Sequence, residues 1–305
     1  MGTTKKSKNQ KIIKKQVNKA IKRIPLGIVI CILIVGCIVG YLYYKKINDN
    51  KDSTNENNIK GNVAYLVQKG TTVDDVKITF LELFGTNGNP QIGDSVFIEC
   101  GDIDILIDAG EKASGSNTVV PFIEEHVSDN ILELVIVTHA DSDHLGGMVG
   151  LSNSYGALEV PGITYQYIVD FGYEGQTQLY KDYLEVRNKK IKEGTKYFSI
   201  GSIFDSDHLE AITRFYLGVD TYLDLLDYKT YEISEITDDN DRSVSCLLTH
   251  NDKKVLLCGD AEKREEAYLT SLNIGHVDVF KANHHGSPTC LLYTSDAADD
   301  LTRVD

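Results

Sequence analysis

The stretch Thr138-His139-Ala140-Asp141-Ser142-Asp143-His144-Leu145-Gly146-Gly147 packs four side chains able to ligate a metal into six residues. His139, Asp141 and Asp143 occupy alternate positions, so an extended backbone points them the same way. His144 follows directly, at the start of an expected helix through Gly146-Gly147-Met148-Val149-Gly150-Leu151. Imidazole with carboxylate suits Zn²⁺, Mn²⁺ or Fe, and ligands this crowded at a strand end can serve two ions. The competing reading is a turn in which Asp and Ser cap the helix. Local spacing does not separate the two, so the elements that position the cluster must.

Before the cluster, Leu134-Val135-Ile136-Val137 is an apolar β-branched run that reads as a buried strand. Upstream, Val76–Phe84, Ser95–Cys100 and Ile103–Ile107 are also strand-like, and the last runs into Asp108-Ala109-Gly110. Pro121–Val127 reads as a helix, and strand, helix, strand within about forty residues argues for an α/β sandwich rather than an all-β barrel. Downstream, Asn240–Leu248 and Lys254–Cys258 form a hairpin about Asn251-Asp252 and end in Gly259-Asp260-Ala261-Glu262. Glu262–Leu272 is an expected helix, and Val277–Ala282 an expected strand that ends in Asn283-His284-His285-Gly286-Ser287. Four strands thus end in Asp or His, at Asp108, His139–His144, Asp260 and His284-His285, which points to a metal cleft at one pole of a sheet.

The middle of the chain is less legible. Ile163–Val169 reads as a strand and Gln176–Glu193 as a charged helix, while 165–235 carries no motif. Asp205-Ser206-Asp207-His208-Leu209 repeats part of the cluster but lacks its first His and its strand, so Asp205 or Ser206 is expected to cap a helix. His126, His250 and His276 are isolated and read as structural or surface residues. The six cysteines form no metal or disulfide pattern; Cys100, Cys246 and Cys258 fall in strand-like runs, where buried free thiols are expected.

Composition sets the wider frame: the 305 residues are 42% hydrophobic and 25% charged, enough for one large globular domain. The net charge of −14 hides an asymmetry, because residues 1–46 hold eleven Lys or Arg and no acid. Residues 47–289 carry 41 acids against 19 bases, a net −22 that disfavours tight nucleic-acid binding unless cations offset it. After a basic cytoplasmic segment, 1–23, the 21 uncharged residues Ile24–Tyr44 suit a transmembrane helix with Tyr41, Tyr43 and Tyr44 at its far end. The preceding positive charge places the remainder outside the cytoplasm; a cleaved signal peptide or lipid attachment at Cys37 fits less well but gives the same address. Residues 45–75, polar and aperiodic over 47–61, are expected as a flexible linker, and 76–289 as the globular domain. Residues 290–305, which include Cys290, read as the translation of a sequencing adapter and are expected to lie outside the domain.

Taken together, Gly93-Asp94-Ser95, Ile105–Gly110, Thr138–Gly147, Asn240 with Ser243, Gly259–Glu262 and Lys281–Ser287 resemble the metallo-β-lactamase superfamily. Within it they resemble the branch in the extracellular domain of the DNA-uptake competence protein ComEC and its stand-alone relatives, over residues 76–288. The resemblance implies an α/β (α+β) αββα sandwich with a metal cleft along one edge. The superfamily's His-x-His-x-Asp-His run appears as His139-Ala140-Asp141-Ser142-Asp143-His144, and Asp141 is the ComEC-type variant, which leans from Zn²⁺ toward Mn²⁺. The usual separate His between this run and the bridging Asp has no clear counterpart, so one or two ions are expected. Asp143, His144 and Asp260 would hold one, and His139, Asp141 and either His284 or His285 the other, with Asp260 bridging. Catalysis would rest on Asp143 and His285. Asp108, Asn240, Ser243 and Ser287 would stand behind the ligands, Asp108 orienting a histidine. The branch normally continues with another strand and an Asn-x-Tyr-Gly-His-Pro-like segment, so the domain as written is expected to be incomplete. The implied activity is metal-dependent hydrolysis of phosphodiesters, DNA among them, by a metal-activated water at a membrane surface. Lactam, ester or thioester hydrolysis is the alternative enzyme, and a metal-keeping surface module the alternative without catalysis; no protein partner is readable.

Overall fold

Val96–Cys100 and Ile103–Ile107 bury nearly every side chain, and Ile131–Val137 is buried throughout after its first residue. Such runs have to be covered on both faces. The computed structural model, which describes residues 62–173, 175–200, 212–226 and 238–290, gathers them into two six-stranded sheets. The first is ordered β2 (Lys77–Phe80), β3 (Val96–Cys100), β4 (Ile103–Ile107), β5 (Ile131–Val137), β6 (Thr164–Asp170) and β7 (Lys196–Ser199). It is antiparallel from β2 to β4 and parallel from β4 to β7. The second runs β1 (Asn62–Tyr65), β8 (Ile212–Tyr216), β9 (Thr221–Leu225), β10 (Cys246–His250), β11 (Lys253–Leu257) and β12 (Val279–Phe280). Here β8 to β11 are antiparallel and both edge strands are parallel to their neighbours.

Register sorts the layers. Ile98, Ile105, Leu134 and Tyr167 lie side by side on one face of the first sheet, and Tyr167 meets Phe215 of the second sheet edge-on at 5.5 Å. Their neighbours Phe97 and Leu106 take the opposite face, where Phe122 of α1 (Val120–His126) packs against Phe97 at 5.1 Å. On the second sheet Leu248 and Val255 belong to the shared core, while Leu256 turns outward to a small separate cluster with Cys258, Ala261 and Leu269. Leu269 comes from the C-terminal helix Lys263–Ser271. The result is a mixed α/β sandwich, two sheets face to face with few helices outside.

Strand direction then places the ligands. The parallel strands β4 and β5 end at one edge, and antiparallel β3 begins there; in the second sheet β11 ends where β10 begins. A bond from Val244 N to Thr138 O, 2.9 Å, joins the start of β10 to the end of β5. Gly147 allows a close approach: a Cβ there would lie 2.0 Å from Ala109 O, while its N–H donates to Gly110 O at 2.6 Å. Only a bare Cα lets the loops after β4 and β5 touch backbone to backbone.

Several expectations change. Residues 62–75, expected as linker, include β1, which pairs parallel with β8, buries Ala64 and stacks Tyr65 on Tyr216 at 4.7 Å. The motif-free stretch 165–235 supplies β7, β8, β9, most of β6 and the long helix Gln178–Glu193. The hairpin's first strand begins only at Cys246, because Asn240–Arg242 is a 3₁₀ turn, and the last strand shortens to Val279–Phe280. Cys290, expected in the tail, is buried like Cys100, Cys246 and Cys258. The expected transmembrane helix at 24–44 and the Asp205–Leu209 cap lie outside the described residues; among the described residues no helix is long and apolar enough to cross a membrane.

One buried feature is not apolar. On the outer face of the first sheet Asp104 and Glu133 are 7% and 3% exposed, and Asp104 N donates to Glu133 Oε2 at 2.9 Å. Burial, then repulsion from Glu99 and Asp129, pushes the Asp104 carboxyl up to about 7; burial does the same to Glu133, also to about 7. In the unfolded chain these groups ionise near pH 4, so the fold favours their protonated forms, and stability falls as pH rises from about 4 to about 7. Glu133→Gln keeps an acceptor for Asp104 N without the charge. Urea denaturation should find it more stable than wild type by about 1–3 kcal/mol at pH 8 and equal to it at pH 4. Equal stability at both pH values would contradict this account.

Candidate metal centre

Asp108, at the end of β4, adopts φ 58°, a left-handed conformation that Asp tolerates at some strain. The bend turns its buried carboxylate toward the end of β5. Oδ1 accepts from Thr138 N at 2.8 Å, and Oδ2 accepts from Thr138 Oγ1 at 2.6 Å and pairs with His144 Nδ1 at 2.8 Å. Held there, His144 aims Nε2 the other way, 3.1 Å from Asp260 Oδ1 and 3.4 Å from His285 Nε2. His284 and His285 also have left-handed backbones, φ 45° and 50°, in the turn after β12. His285 Nε2 lies 3.2 Å from Asp143 Oδ2 and 3.3 Å from Asp260 Oδ2. Asp143, His144, Asp260 and His285 each therefore offer one ligand atom, all within 4.8 Å of one another.

Charge is balanced by protons here. Burial opposes the charge on His144, but Asp108 and Asp260 outweigh it and raise this imidazole well above its usual range. Hydrogen bonds to Asp143 and Asp260 raise His285 to about 9, and His285 in turn lowers Asp143. Burial would raise Asp260, yet bonds from His144 and His285 hold it well below the usual carboxylate range. His139 is different: full burial lowers it to about 3, so it is neutral. Its Nδ1 is 3.0 Å from Thr138 Oγ1, whose own hydrogen goes to Asp108, so Nδ1 carries the proton. That leaves a bare lone pair on Nε2, buried and without a hydrogen-bond partner. Imidazole nitrogens and carboxylate oxygens, with one imidazole nitrogen orphaned in a buried cleft, fit a divalent ion such as Zn²⁺ or Mn²⁺.

The grouping differs from the division expected from sequence. His285 joins Asp143, His144 and Asp260. His139 Nε2 and Asp141 Oδ2 stand 3.9 Å apart beside them, with the Asp141 side chain half exposed. The His139 and His144 rings lie 4.2 Å apart. His284 turns away: Nδ1 meets Glu262 Oε1 at 2.9 Å, and Nε2 is 3.9 Å from Asp260 Oδ2. Ser243 Oγ accepts from Asp260 N at 3.2 Å and lies 3.5 Å from His139 Nδ1. Asn240 is buried in the preceding turn. Ser287 bonds Thr289 instead. His126 stacks on Phe122 and His250 pairs with Thr221, both apart from the cluster, while His276 is exposed.

Sequence reasoning gave no site role to Thr138, Glu262, Asp94 or Lys281. Asp94 Oδ1 sits 3.6 Å from His285 Nδ1, and its carboxylate pairs with Lys281. The available signal was Gly93-Asp94 before β3: a Cβ on Gly93 would come 2.3 Å from Asp143 O, so that glycine marks a close approach to the ligand loop. The antiparallel start of a strand is as near this edge as a parallel end.

The fold and ligand set thus define an α/β two-sheet sandwich with a metal-ligand cluster at one edge. No protein-family model matches the chain. It is 24% identical over 191 residues to Recombination protein 2 of Haemophilus influenzae, a match that covers 61% of this chain and 19% of that protein. The chain therefore spans about a fifth of the length of this curated relative. Similar solved structures are metallo-β-lactamase-fold proteins. YhfI of Bacillus subtilis is 15% identical, with 68% of this chain and 71% of that one covered and a TM-score of 0.41. A metallo-β-lactamase of Cronobacter sakazakii is 14% identical, with 77% and 83% covered and a TM-score of 0.36. The dizinc quorum-quenching lactonase AidC is 11% identical, with 63% and 76% covered and a TM-score of 0.34.

Asp108→Asn tests how the cluster is held. Without a second carboxylate oxygen for His144 Nδ1, Zn²⁺ or Mn²⁺ affinity measured by calorimetry should fall about 10–100-fold while the circular dichroism spectrum is kept. Unchanged affinity would show that Asp108 does not orient the ligand.

Proposed function

We propose that this chain is a metal-dependent hydrolase of phosphodiesters, with DNA as the polymeric substrate, held at the outer face of a membrane by its apolar N-terminal segment. The observation that carries the hydrolase reading is the convergence of Asp143, His144, Asp260 and His285 within 4.8 Å, beside the unpaired Nε2 of His139. A divalent ion in such a set acidifies a water and offsets the charge of an anionic transition state. The protein's own part is positional: Asp108 and Thr138 fix His144 and His139, Ser243 fixes the backbone before Asp260, and the left-handed turn presents His285. Support for a nucleic-acid substrate comes from the ComEC-type Asp141 variant and from the relative's name, Recombination protein 2. Support for the address comes from the basic run before Ile24–Tyr44.

The test uses the full chain with Mn²⁺ or Zn²⁺ on bis(p-nitrophenyl) phosphate and on single-stranded DNA. Turnover should be abolished by chelator and lowered by Asp260→Asn on the order of a hundredfold or more. Equal inactivity of wild type and variant on both substrates, with metal bound, would sink the phosphodiesterase reading. Cleavage of a lactone, lactam or thioester in its place would assign ester-type hydrolysis, and bound metal without turnover on any of these a binding module.

A further inference from the structure

An imidazole that faces a metal through one nitrogen stays aimed only if its other nitrogen is held. For His144 the holder is Asp108. For His285, Nε2 faces the cluster and Nδ1 faces Asp94 Oδ1 at 3.6 Å. Asp94 is itself held by an ion pair with Lys281, and the two side chains are only 15% and 11% exposed. Lys281 Nζ also donates to Gly259 O at 3.1 Å and Ala282 O at 3.0 Å. A lysine ammonium has three donors. Two go to carbonyls and the charge pairs with the Asp94 carboxylate, so Lys281 is engaged within the protein.

The main chain extends the same contacts. Asp94 N donates to Asp143 O at 3.1 Å, and Asp94 O accepts from Gly110 N at 2.9 Å. Asp94, at the start of β3, therefore touches the loops of Asp108 and Asp143, both in the first sheet. Lys281, at the end of β12, touches the loops that carry Asp260 and His285, both in the second. We infer that Asp94 and Lys281 form a clasp across the cleft that positions His285 for the metal. Both are positioning residues, and the inference rests on the metal-centre reading above.

Lysine supplies the decisive sign. Removing a positive charge beside a cation site tightens cation binding by electrostatics alone; removing the clasp loosens it. Calorimetric titration of the full chain with Mn²⁺ should find Lys281→Met weakened about 10–100-fold, and Asp94→Asn likewise. The double variant should be no weaker than the worse single one, since either change opens the same clasp. Lys281→Arg, which keeps the charge, should retain more affinity than Lys281→Met. In the metal-free chain, the ¹⁵N resonance of His285 Nδ1 should shift in Asp94→Asn and in Lys281→Met. Tighter or unchanged Mn²⁺ binding in Lys281→Met would overturn the clasp, as would losses that add in full or equal losses with Arg and Met. None of these readings needs turnover. Loss of hydrolysis with the affinity pattern intact would count against the proposed activity alone, and the reverse against the clasp alone.

Discussion

The cleft depends on one buried carboxylate. Asp108 receives Thr138 N, Thr138 Oγ1 and His144 Nδ1 within 2.6–2.8 Å, at almost no exposure to water. Hydrogen bonds to a charged group contribute about 1.5–3 kcal/mol each, against about 1–3 kcal/mol for its left-handed backbone. Three such bonds outweigh the strain, and the strain is what turns the carboxylate off the strand axis toward β5. Through Thr138 the same carboxylate reaches His139: it takes the hydroxyl hydrogen, so the hydroxyl can only accept from Nδ1, and Nε2 is left bare. One side chain thus sets the direction of two imidazoles.

A second constraint is like charge. Asp94, Asp143 and Asp260 crowd around His144 and His285, and a cluster of carboxylates with little water must be neutralised. Protons on two histidines do this in the absence of metal, which is why His285 is raised while Asp260 is lowered. A divalent cation would satisfy the same demand with more charge in less space, displacing those protons. The architecture that makes the cluster tolerable without metal is therefore the one that makes it receptive to metal.

How much of this was readable follows from where the information lies. Thr138–His144 was legible because a β-branched run ends in alternating ligands, and Asp108, Asp260 and His284-His285 were legible because each closes an apolar strand. Their partition among ions was not, since the left-handed turn at His284-His285 decides which imidazole faces in, and backbone handedness leaves no composition signal at histidine. Asp94 and Lys281 were hidden for a topological reason: they meet only after β3 and β12 arrive from opposite sheets. β1 was lost in the linker because Asn62–Tyr65 gains its partner from Ile212–Tyr216, far along the chain and inside the motif-free stretch. Scaffold strands need only be apolar and β-branched, so 165–235 supplied about a third of the strands without a motif.

On the proposed reading, the acidic balance of the domain and an anionic substrate oppose each other, and the cleft is where they meet. Residues 47–289 carry a net −22, so a phosphodiester chain gains nothing from the general surface. Screening confines that repulsion to about 8 Å at physiological ionic strength, which allows approach but supplies no attraction. Lys281, which reaches His285 through Asp94, is engaged by Asp94 and two carbonyls. On that reading, bound ions would supply charge that draws a phosphate. Substrate affinity and chemistry would share one source, and a site so arranged engages a strand only where metal is bound.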